Sequence, residues 1–446
     1  MRILHTGDWH LGDRIGSCNP KRERHDDLGR ALRQIANYLK EHEVDVMLVA
    51  GDVFSEYCTS NHERMNRAIT QICDVFNPFL TGGGTIVAIS GNHDNELLFD
   101  TLNQTLGLVC QTRPAPEGCM PTGRPYLFAP GPAIRKPLRL AGRDGQIVQI
   151  VPMPYPSIRF LTASSDGVDV TQQYRDKRTF YLTVLQNLCE QLDPHYPSIL
   201  LSHLALEGVS MTHHRCMRAD EDVLFTANDL RDRWYYIACG HIHKPTPMES
   251  TGLVRYCGSI DRLDAGEIND QKSVVLFDVK AGQPCQPILL PLESTPIYDL
   301  TFRDVDTELP RKIQELPDRE RALVKYTLHY NAMTHNLNEL RRHIEEAFPR
   351  WYASDFQDES KAELSSTEGF KPQDLHDVST TVLTFLEGRL PAEGPEQDPD
   401  REALLVLARQ LLTEEGFGSS QGQVGEAAVQ MREAAELHTV AMAAGA

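Results

Sequence analysis

Seven side chains carry oxygen or nitrogen donors at points where short apolar runs stop: Asp8, His10, Asp52, Asn92, His203, His241 and His243. Two carboxylates, one amide and four imidazoles, with no sulfur, suit manganese, iron or zinc better than a thiolate centre would. If Asp52 bridges, each of two divalent ions receives four protein ligands and keeps open positions for water and a phosphate oxygen. Two ions roughly 3.5 to 4 Å apart lower the pKa of a bridging water and clamp the attacking and leaving oxygens of an in-line displacement. The chemistry to expect is phosphoester hydrolysis. The formal net charge is −19, so most of the surface repels phosphates, whereas four metal charges against two carboxylates make one crevice cationic.

The runs that deliver these donors read as buried strands. Arg2 to Thr6 leads into Gly7-Asp8-Trp9-His10, and Val44 to Ala50 leads into Gly51-Asp52. Thr85 to Ile89 leads into Gly91-Asn92-His93-Asp94, Ser198 to Ser202 into His203, and Tyr235 to Cys239 into Gly240-His241-Ile242-His243. In open α/β sheets ligands gather beyond the carboxyl ends of the strands, so these tips converge on one crevice. Between them, residues 24–42 carry Leu28, Ala31, Leu32, Ile35 and Leu39 at helical spacing, and a second helix near 61–76 starts at the potential cap Asn61. Strand, crossover helix and strand make parallel βαβ units. Pro and Gly between Pro114 and Pro137 predict irregular loops, followed by a strand over 146–152 and a helix over 172–191. Strands are expected at 254–257 and 273–279, joined by a turn at Gly258.

A chain of 446 residues with 41% hydrophobic content can bury a large core, and its length predicts two or three domains. Composition shifts near Pro287 to Pro296, after which Ile297 to Phe348 reads as strand, helix, strand, helix, a small separate α+β unit without a His/Asp cluster. Further on come a helix near 378–386, an acidic Pro-rich linker at 391–400, an amphipathic helix at 401–414, a flexible stretch at 416–425 and an Ala-rich helix at 426–442. The 10 cysteines are scattered without a CxxC pair, which argues against a disulfide framework and a thiolate zinc site. Neither a secretory leader nor a bilayer-length apolar run is present, so the expectation is a soluble protein of a reducing cytoplasm with no membrane partner.

Asp8-x-His10, Gly51-Asp52, Gly91-Asn92-His93-Asp94, His203 and Gly240-His241-x-His243, in that order, resemble the signature of the calcineurin-like metallophosphoesterases. More closely, residues 2–12, the Val49–Phe54 block and Arg255-Tyr256-Cys257-Gly258-Ser259 resemble the SbcD family of nuclease subunits, relatives of the meiotic-recombination repair nuclease. The resemblance implies an α/β fold: a β-sandwich flanked by helices over 1–290, a small α+β capping domain for DNA over 291–365, and C-terminal helices and linker over 366–446. It implies two manganese ions, one on Asp8, His10, Asp52 and His243, the other on Asp52, Asn92, His203 and His241. His93 would sit over the scissile phosphate, and Asp94 would either orient that ring or cap the following helix. Some family members carry a histidine three residues after the second aspartate, where this chain has Ser55. The implied activity is cleavage of single-stranded DNA internally and of double-stranded ends 3′ to 5′, including hairpins and blocked ends. The implied setting is DNA repair, recombination and replication at the nucleoid. The implied partners are DNA, a coiled-coil ATPase of the SbcC type bound through the C-terminal helices, and a second copy in a heterotetramer.

Plainer readings accompany several residues. His5, inside the first strand, reads as a core histidine, and His213 and His214 as loop residues. Arg14, Arg22, Arg255, Ser259 and Arg262 are candidates for DNA contact, with Lys21, Arg215 and Arg218 beside them, yet each charge also fits an ordinary solvated surface. The Tyr256–Ser259 turn either joins two strands or, as in the resembling family, contacts DNA. The C-terminal amphipathic helix docks on its own domain or in a partner's groove. The alternatives for the whole are a small-nucleotide phosphodiesterase of the same fold and a non-catalytic scaffold.

Overall fold

The structure, a computed structural model, describes residues 1–15, 23–59, 61–95, 98–99, 101–102, 120–121, 126–127, 136–142, 145–156, 170–208, 223–230, 234–248, 253–360, 383 and 401–414. In chain order the elements are β1 (Arg2–Thr6), α1 (His25–Glu41), β2 (Val46–Ala50), α2 (Glu56–Thr59), α3 (His62–Thr81), β3 (Thr85–Ile89), β4 (Met120–Pro121), β5 (Tyr126–Leu127), β6 (Leu138–Ala141) and β7 (Ile147–Met153). Then come α4 (Val170–Cys189), β8 (Ser198–His203), β9 (Ala205–Leu206), β10 (Leu224–Phe225), β11 (Tyr236–Gly240), β12 (Thr246–Pro247), β13 (Val254–Tyr256), β14 (Ser273–Asp278) and β15 (Ile288–Pro291). They are followed by β16 (Ile297–Phe302), α5 (Val305–Glu315), β17 (Leu323–Tyr330), α6 (Leu337–Ala347), β18 (Trp351–Asp358) and α7 (Arg401–Glu414).

Two sheets form the scaffold, one of 6 strands in the order β15-β14-β1-β2-β3-β5 and one of 7 in the order β12-β13-β11-β8-β7-β6-β4. Side chains alternate along each strand, and the alternation assigns the layers. From β2, Val46, Leu48 and Ala50 join Ile3, Val87 and Ile89 against Ile150, Ile199, Leu201 and Ala238 of the other sheet, which is the core of the sandwich. Met47 and Val49 point the other way, onto Leu28, Ala31, Leu32, Ile35 and Leu39 of α1 and Phe76 of α3. On the outer face of the second sheet, Leu200, Ile237 and Cys239 meet Tyr181, Leu185 and Leu188 of α4. Helices therefore cover both faces of a β-sandwich, as the resemblance implied.

Strand direction is what positions the site. β1, β2 and β3 run parallel in one sheet, and β7, β8, β11 and β13 run parallel in the other. The pairing Gly240↔His203 puts the ends of β11 and β8 level, as Ala50↔Ile89 does for β2 and β3.

Of the strands the sequence reading did not contain, two bear on the expected domain boundaries, while β4, β5, β6, β9, β10 and β12 are further short strands it did not place. The compositional shift taken as a boundary contains β15, which pairs with β14 at the edge of the first sheet. β18, past the last helix expected there, completes a 3-stranded parallel sheet with β16 and β17. This sheet has its own apolar cluster around Phe302, Tyr326, Ile344 and Phe348. It is nevertheless not a separate body, because Met1–Glu359 is one compact unit and Ser360–Ala446 the other. Ile15 packs on Ile297 and Leu323, and Arg350 ion-pairs with Asp27 of α1, which joins the small sheet to the sandwich. In the second unit, α7 exposes Val406, Leu407 and Leu411. The expected features at 378–400 and beyond 414 lie outside the described residues, apart from residue 383. Among the described residues the cysteines are free thiols, and no helix is long and apolar enough to cross a membrane.

Candidate metal centre

The loops that leave the strand tips are bent into conformations that side chains rarely adopt. Asp8, His10, Asp52 and His241 have φ of 49°, 46°, 50° and 101°, and among the described residues only Glu43 joins them as a non-glycine with positive φ. Such backbone costs of order 1–3 kcal/mol per residue and survives where surrounding bonds over-determine it. Here the N–H of Asp8 donates to Gly51 O at 3.0 Å and that of His10 to Asp52 O at 2.9 Å. The N–H of His241 donates to the Asp8 carboxylate at 2.9 and 3.2 Å. Glycines allow the tips to close: a Cβ on Gly91 would lie 2.1 Å from Asp52 Oδ1, and one on Gly240 would lie 1.9 Å from Ala50 O.

With the loops so held, ligand atoms converge. Three groups have donor atoms within 4.8 Å of one another: Asp8, His10 and His243; Asp8, Asp52 and His203; and His10, Asp52 and His93. Asp52 Oδ2 is 3.5 Å from His10 Nε2 and also 3.5 Å from His203 Nε2, so it stands between the two imidazoles. Asn92 Oδ1 lies 2.9 Å from His203 Nε2 and 3.0 Å from His241 Nδ1. Donors drawn this close without sulfur fit two divalent cations that would sit between them. Asp8 and Asp52 are buried. Burial raises the Asp8 carboxyl despite the imidazoles of His203 and His243. For Asp52 burial acts upward too, but His203, His93 and His10 outweigh it and hold the group below the usual carboxylate range.

The imidazoles are oriented from behind. His203 Nδ1 donates to Ala50 O at 2.7 Å, which leaves the Nε2 lone pair facing Asp52 and Asn92, and burial lowers its pKa so that it stays neutral. His243 Nδ1 lies 2.9 Å from Glu267 Oε1. Glu267 escaped the sequence reading because it stands in a short 3-10 turn, Ala265–Glu267, with no periodicity around it. Tyr155 was also missed: its ring lies 6.0 Å from those of both His203 and His241, nearly parallel to the latter at 28°. A tyrosine between Pro154 and Pro156 at the end of β7 was the available signal.

His93 is placed differently from the buried donors. Its side chain is 21% exposed, against 7% or less for His10, Asp52, His203 and Asp8, so it stands at the mouth of the crevice. Its ring is 5.0 Å from that of His10, its Nδ1 is 3.7 Å from Glu56 Oε2, and its N–H donates to Asp52 Oδ1 at 2.9 Å. Among the described residues, Asp94 bonds across two loops. Its carboxyl accepts N–H bonds from Gly91 at 2.8 Å, Phe54 at 2.8 Å and Val53 at 3.2 Å, clamping the loops after β2 and β3 together. Burial and the adjacent Asp52 push it up to about 8. Asn95 instead accepts from Leu98 N in the turn that follows.

Of the DNA-contact candidates, Ser259 is corrected: it is fully buried, and its hydroxyl donates to Asp261 O at 2.8 Å and to Glu267 at 3.2 Å, so it holds the 258–267 loop. The Arg262 guanidinium is directed onto the carbonyls of Asp270 and Thr295. Arg14 lies over the Tyr57 ring at 4.6 Å, and Arg255 is half-buried on β13. Arg22, Lys21, Arg215, Arg218, His213 and His214 lie outside the described residues. His5 is a core histidine, fully buried, 3.1 Å from Tyr236 OH and pushed down to about 3 by burial.

Two mixed sheets with a histidine and carboxylate cluster across the tips of their parallel strands define a class, and the family profile described as calcineurin-like phosphoesterase matches residues 1–245. The chain belongs to that family of phosphoester hydrolases. Within it, the chain is similar to bacterial proteins named as the SbcD component of the nuclease SbcCD. The one from Rhodobacter capsulatus is 29% identical over 342 residues, covering 72% of this chain and 78% of that protein. The one from Bacillus subtilis is 26% identical over 304 residues, covering 65% and 70%. With the one from Escherichia coli strain K12 the identity is 27% over 293 residues, covering 64% of this chain, which thus spans 66% of that relative's length. A solved dimetal phosphatase from Danio rerio aligns with 65% of this chain and 98% of its own at 11% identity and a TM-score of 0.36.

Proposed function

We propose that the chain is a two-metal DNA nuclease, cutting single strands internally and double-stranded ends 3′ to 5′, and acting on hairpins and blocked ends during repair and recombination. The observation that carries this reading is Asp52 Oδ2, equidistant at 3.5 Å from an imidazole of each ligand group. On this reading Asp8, His10, Asp52 and His243 hold one manganese ion and Asp52, Asn92, His203 and His241 the other. When bound, such a pair acidifies a water and neutralises charge on a phosphoryl group. The chain's own contribution is to fix the donors on strained loops, to set the imidazole tautomers through Ala50 and Glu267, and to present His93 at the mouth. There His93 protonates the leaving oxygen or stabilises the charge developing on it.

The similarity to proteins named as a subunit of SbcCD supports a partner subunit, which on this reading is a coiled-coil ATPase, with a second copy of the chain completing the assembly. In this reading residues 291–365 cap the DNA, residues 366–446 reach the ATPase, and Arg14, Arg22, Arg255 and Arg262 are the cationic side chains nearest to consideration for the DNA backbone. The test is a labelled DNA hairpin incubated with the full chain and manganese, with and without a candidate ATPase, beside a cyclic nucleotide. Metal-dependent hairpin cleavage is expected. Turnover of the cyclic nucleotide with the hairpin intact would assign the site to small nucleotides, and no turnover of either would leave a scaffold.

A further inference from the structure

β7 is followed by a tyrosine held beside the donors. Met153, the last residue of the strand, pairs with Ser202, the residue before His203, so the chain overhangs the cluster two positions later, at Tyr155. Its backbone has little freedom there. The N–H donates to Ser90 O at 3.1 Å, on the turn that leads into Asn92 and His93, and Pro156 behind it steers Tyr155 to extended conformations. The ring lies nearly parallel to that of His241, at 28° and 6.0 Å, and meets the His203 ring edge-on at 77° and 6.0 Å. Both imidazoles are buried while Tyr155 is half-buried, so an accessible piece of aromatic surface stands next to the donors.

A phosphate drawn to the donors brings whatever its ester carries to this ring. In an acidic chain the described cationic candidates are already engaged, Arg262 on the carbonyls of Asp270 and Thr295 and Arg14 over the Tyr57 ring at 4.6 Å. A neutral ring attracts a base whatever the net charge, and does so without regard to sequence, because every base has a π-face. A base inside a duplex is covered by its neighbours, so an unpaired nucleotide is the one that can turn a face to a side chain. A platform fixed in advance also loses little freedom on binding. We propose that Tyr155 is a substrate-binding residue that stacks on the base of an unpaired nucleotide beside the scissile phosphate. It thereby makes the centre favour single strands and frayed ends over phosphoesters that carry no base.

This inference rests on the nuclease reading above, and one substrate series separates the two. Full-length protein with manganese is given a single-stranded oligonucleotide and a set in which one residue at a time is abasic. Cut positions are read to the nucleotide on a gel, and bound manganese is counted by elemental analysis. In the wild type, one abasic position relative to the cut should lower kcat/KM by about 10- to 100-fold, chiefly through KM. Tyr155→Leu fills similar space without a π-face, so it should lose that factor on the intact strand and nothing further at the abasic position. Tyr155→Met serves if the Leu variant does not fold, and Tyr155→Phe, which keeps the ring, should retain the abasic penalty. A penalty absent from the wild type at every position, or undiminished in the Leu and Met variants, would overturn the inference. So would loss of bound manganese in those variants, which would make the ring a prop for His241. Each of these leaves the nuclease reading standing. A wild type that cuts no strand removes the nuclease reading, and the inference with it.

Discussion

Two neighbouring residues, Asn92 and His93, are directed differently in the site. Asn92 points its amide oxygen into the cluster, 2.9 Å from His203, while His93 sits at the mouth with a fifth of its side chain exposed, at 21%. If His93 acts on the phosphate and holds no ion, as proposed, it should be separable from the residues that do. His93→Ala is therefore expected to keep near wild-type manganese content by elemental analysis while cleavage falls by about 10²- to 10⁴-fold. Asp52→Asn, which keeps the shape of the bridging residue but removes its charge, should lose both metal and cleavage. Full activity in both variants would undo the assignment. The donors were legible in the sequence because each follows a strand end directly, so a strand reading places its chemistry as well. Glu267 and the clamp made by Asp94 were not. Glu267 meets His243 from 24 residues away, and Asp94 bonds to Val53 and Phe54 about 40 residues earlier in the chain, so both depend on tertiary proximity with no local pattern.

At the level of elements, α1 is tied to more than the sheet beneath it. Its Asp27, only 3% exposed, accepts bonds from Arg24 at 3.0 Å, Arg30 at 2.6 Å and Arg350 at 3.2 Å, the last from the turn between α6 and β18. Arg24, fully buried, reaches on to Asp261 at 2.9 Å, on the loop that carries Ser259. Burial acts to raise the Asp27 carboxyl, but the guanidiniums of Arg350, Arg24 and Arg30 outweigh it, so its pKa is lowered in the folded chain. The unfolded chain therefore takes up the proton at higher pH than the folded one. The stabilisation is complete above the ordinary carboxylate range and is lost as pH falls through the lowered value. Asp27→Asn should cost about 3 kcal/mol at neutral pH, as for other buried pairs broken on one side, and the difference from wild type should shrink on acidification. Urea unfolding across that pH range measures both, and a pH-independent difference would contradict the argument. Two of the strands that escaped the sequence reading, β15 and β18, share a physical cause. β15 is largely exposed and β18 is half-buried to exposed along its length, so neither shows the alternation that marks β1, β2 and β3 as buried strands. Edge strands are held by backbone bonds to a neighbour, and those leave little trace in side-chain pattern.

Across the whole molecule, an acidic chain with a net charge of −19 draws its histidine and carboxylate donors into one crevice. The sandwich was readable from strand and helix periodicity. The union of the small sheet with it was not, since Arg350 and Asp27 are 323 residues apart. The second compact unit, Ser360–Ala446, contains none of the metal donors. Its α7 leaves Val406, Leu407 and Leu411 exposed by 55%, 50% and 51%, an apolar stripe of the kind that lies in a partner's groove. The linker before it, 391–400, is rich in Pro and acidic residues and suits a tether. If the stripe is the handle for the ATPase, catalysis and assembly should come apart when it is removed. Deleting 391–446 is expected to leave manganese-dependent cleavage by the isolated chain within a few-fold of wild type, because every donor and every residue that orients one lies before Glu359. Co-purification with the tagged ATPase should disappear. Retained co-purification would move the contact onto the first unit, and loss of cleavage by the isolated truncated chain would mean that the tail supports the crevice itself.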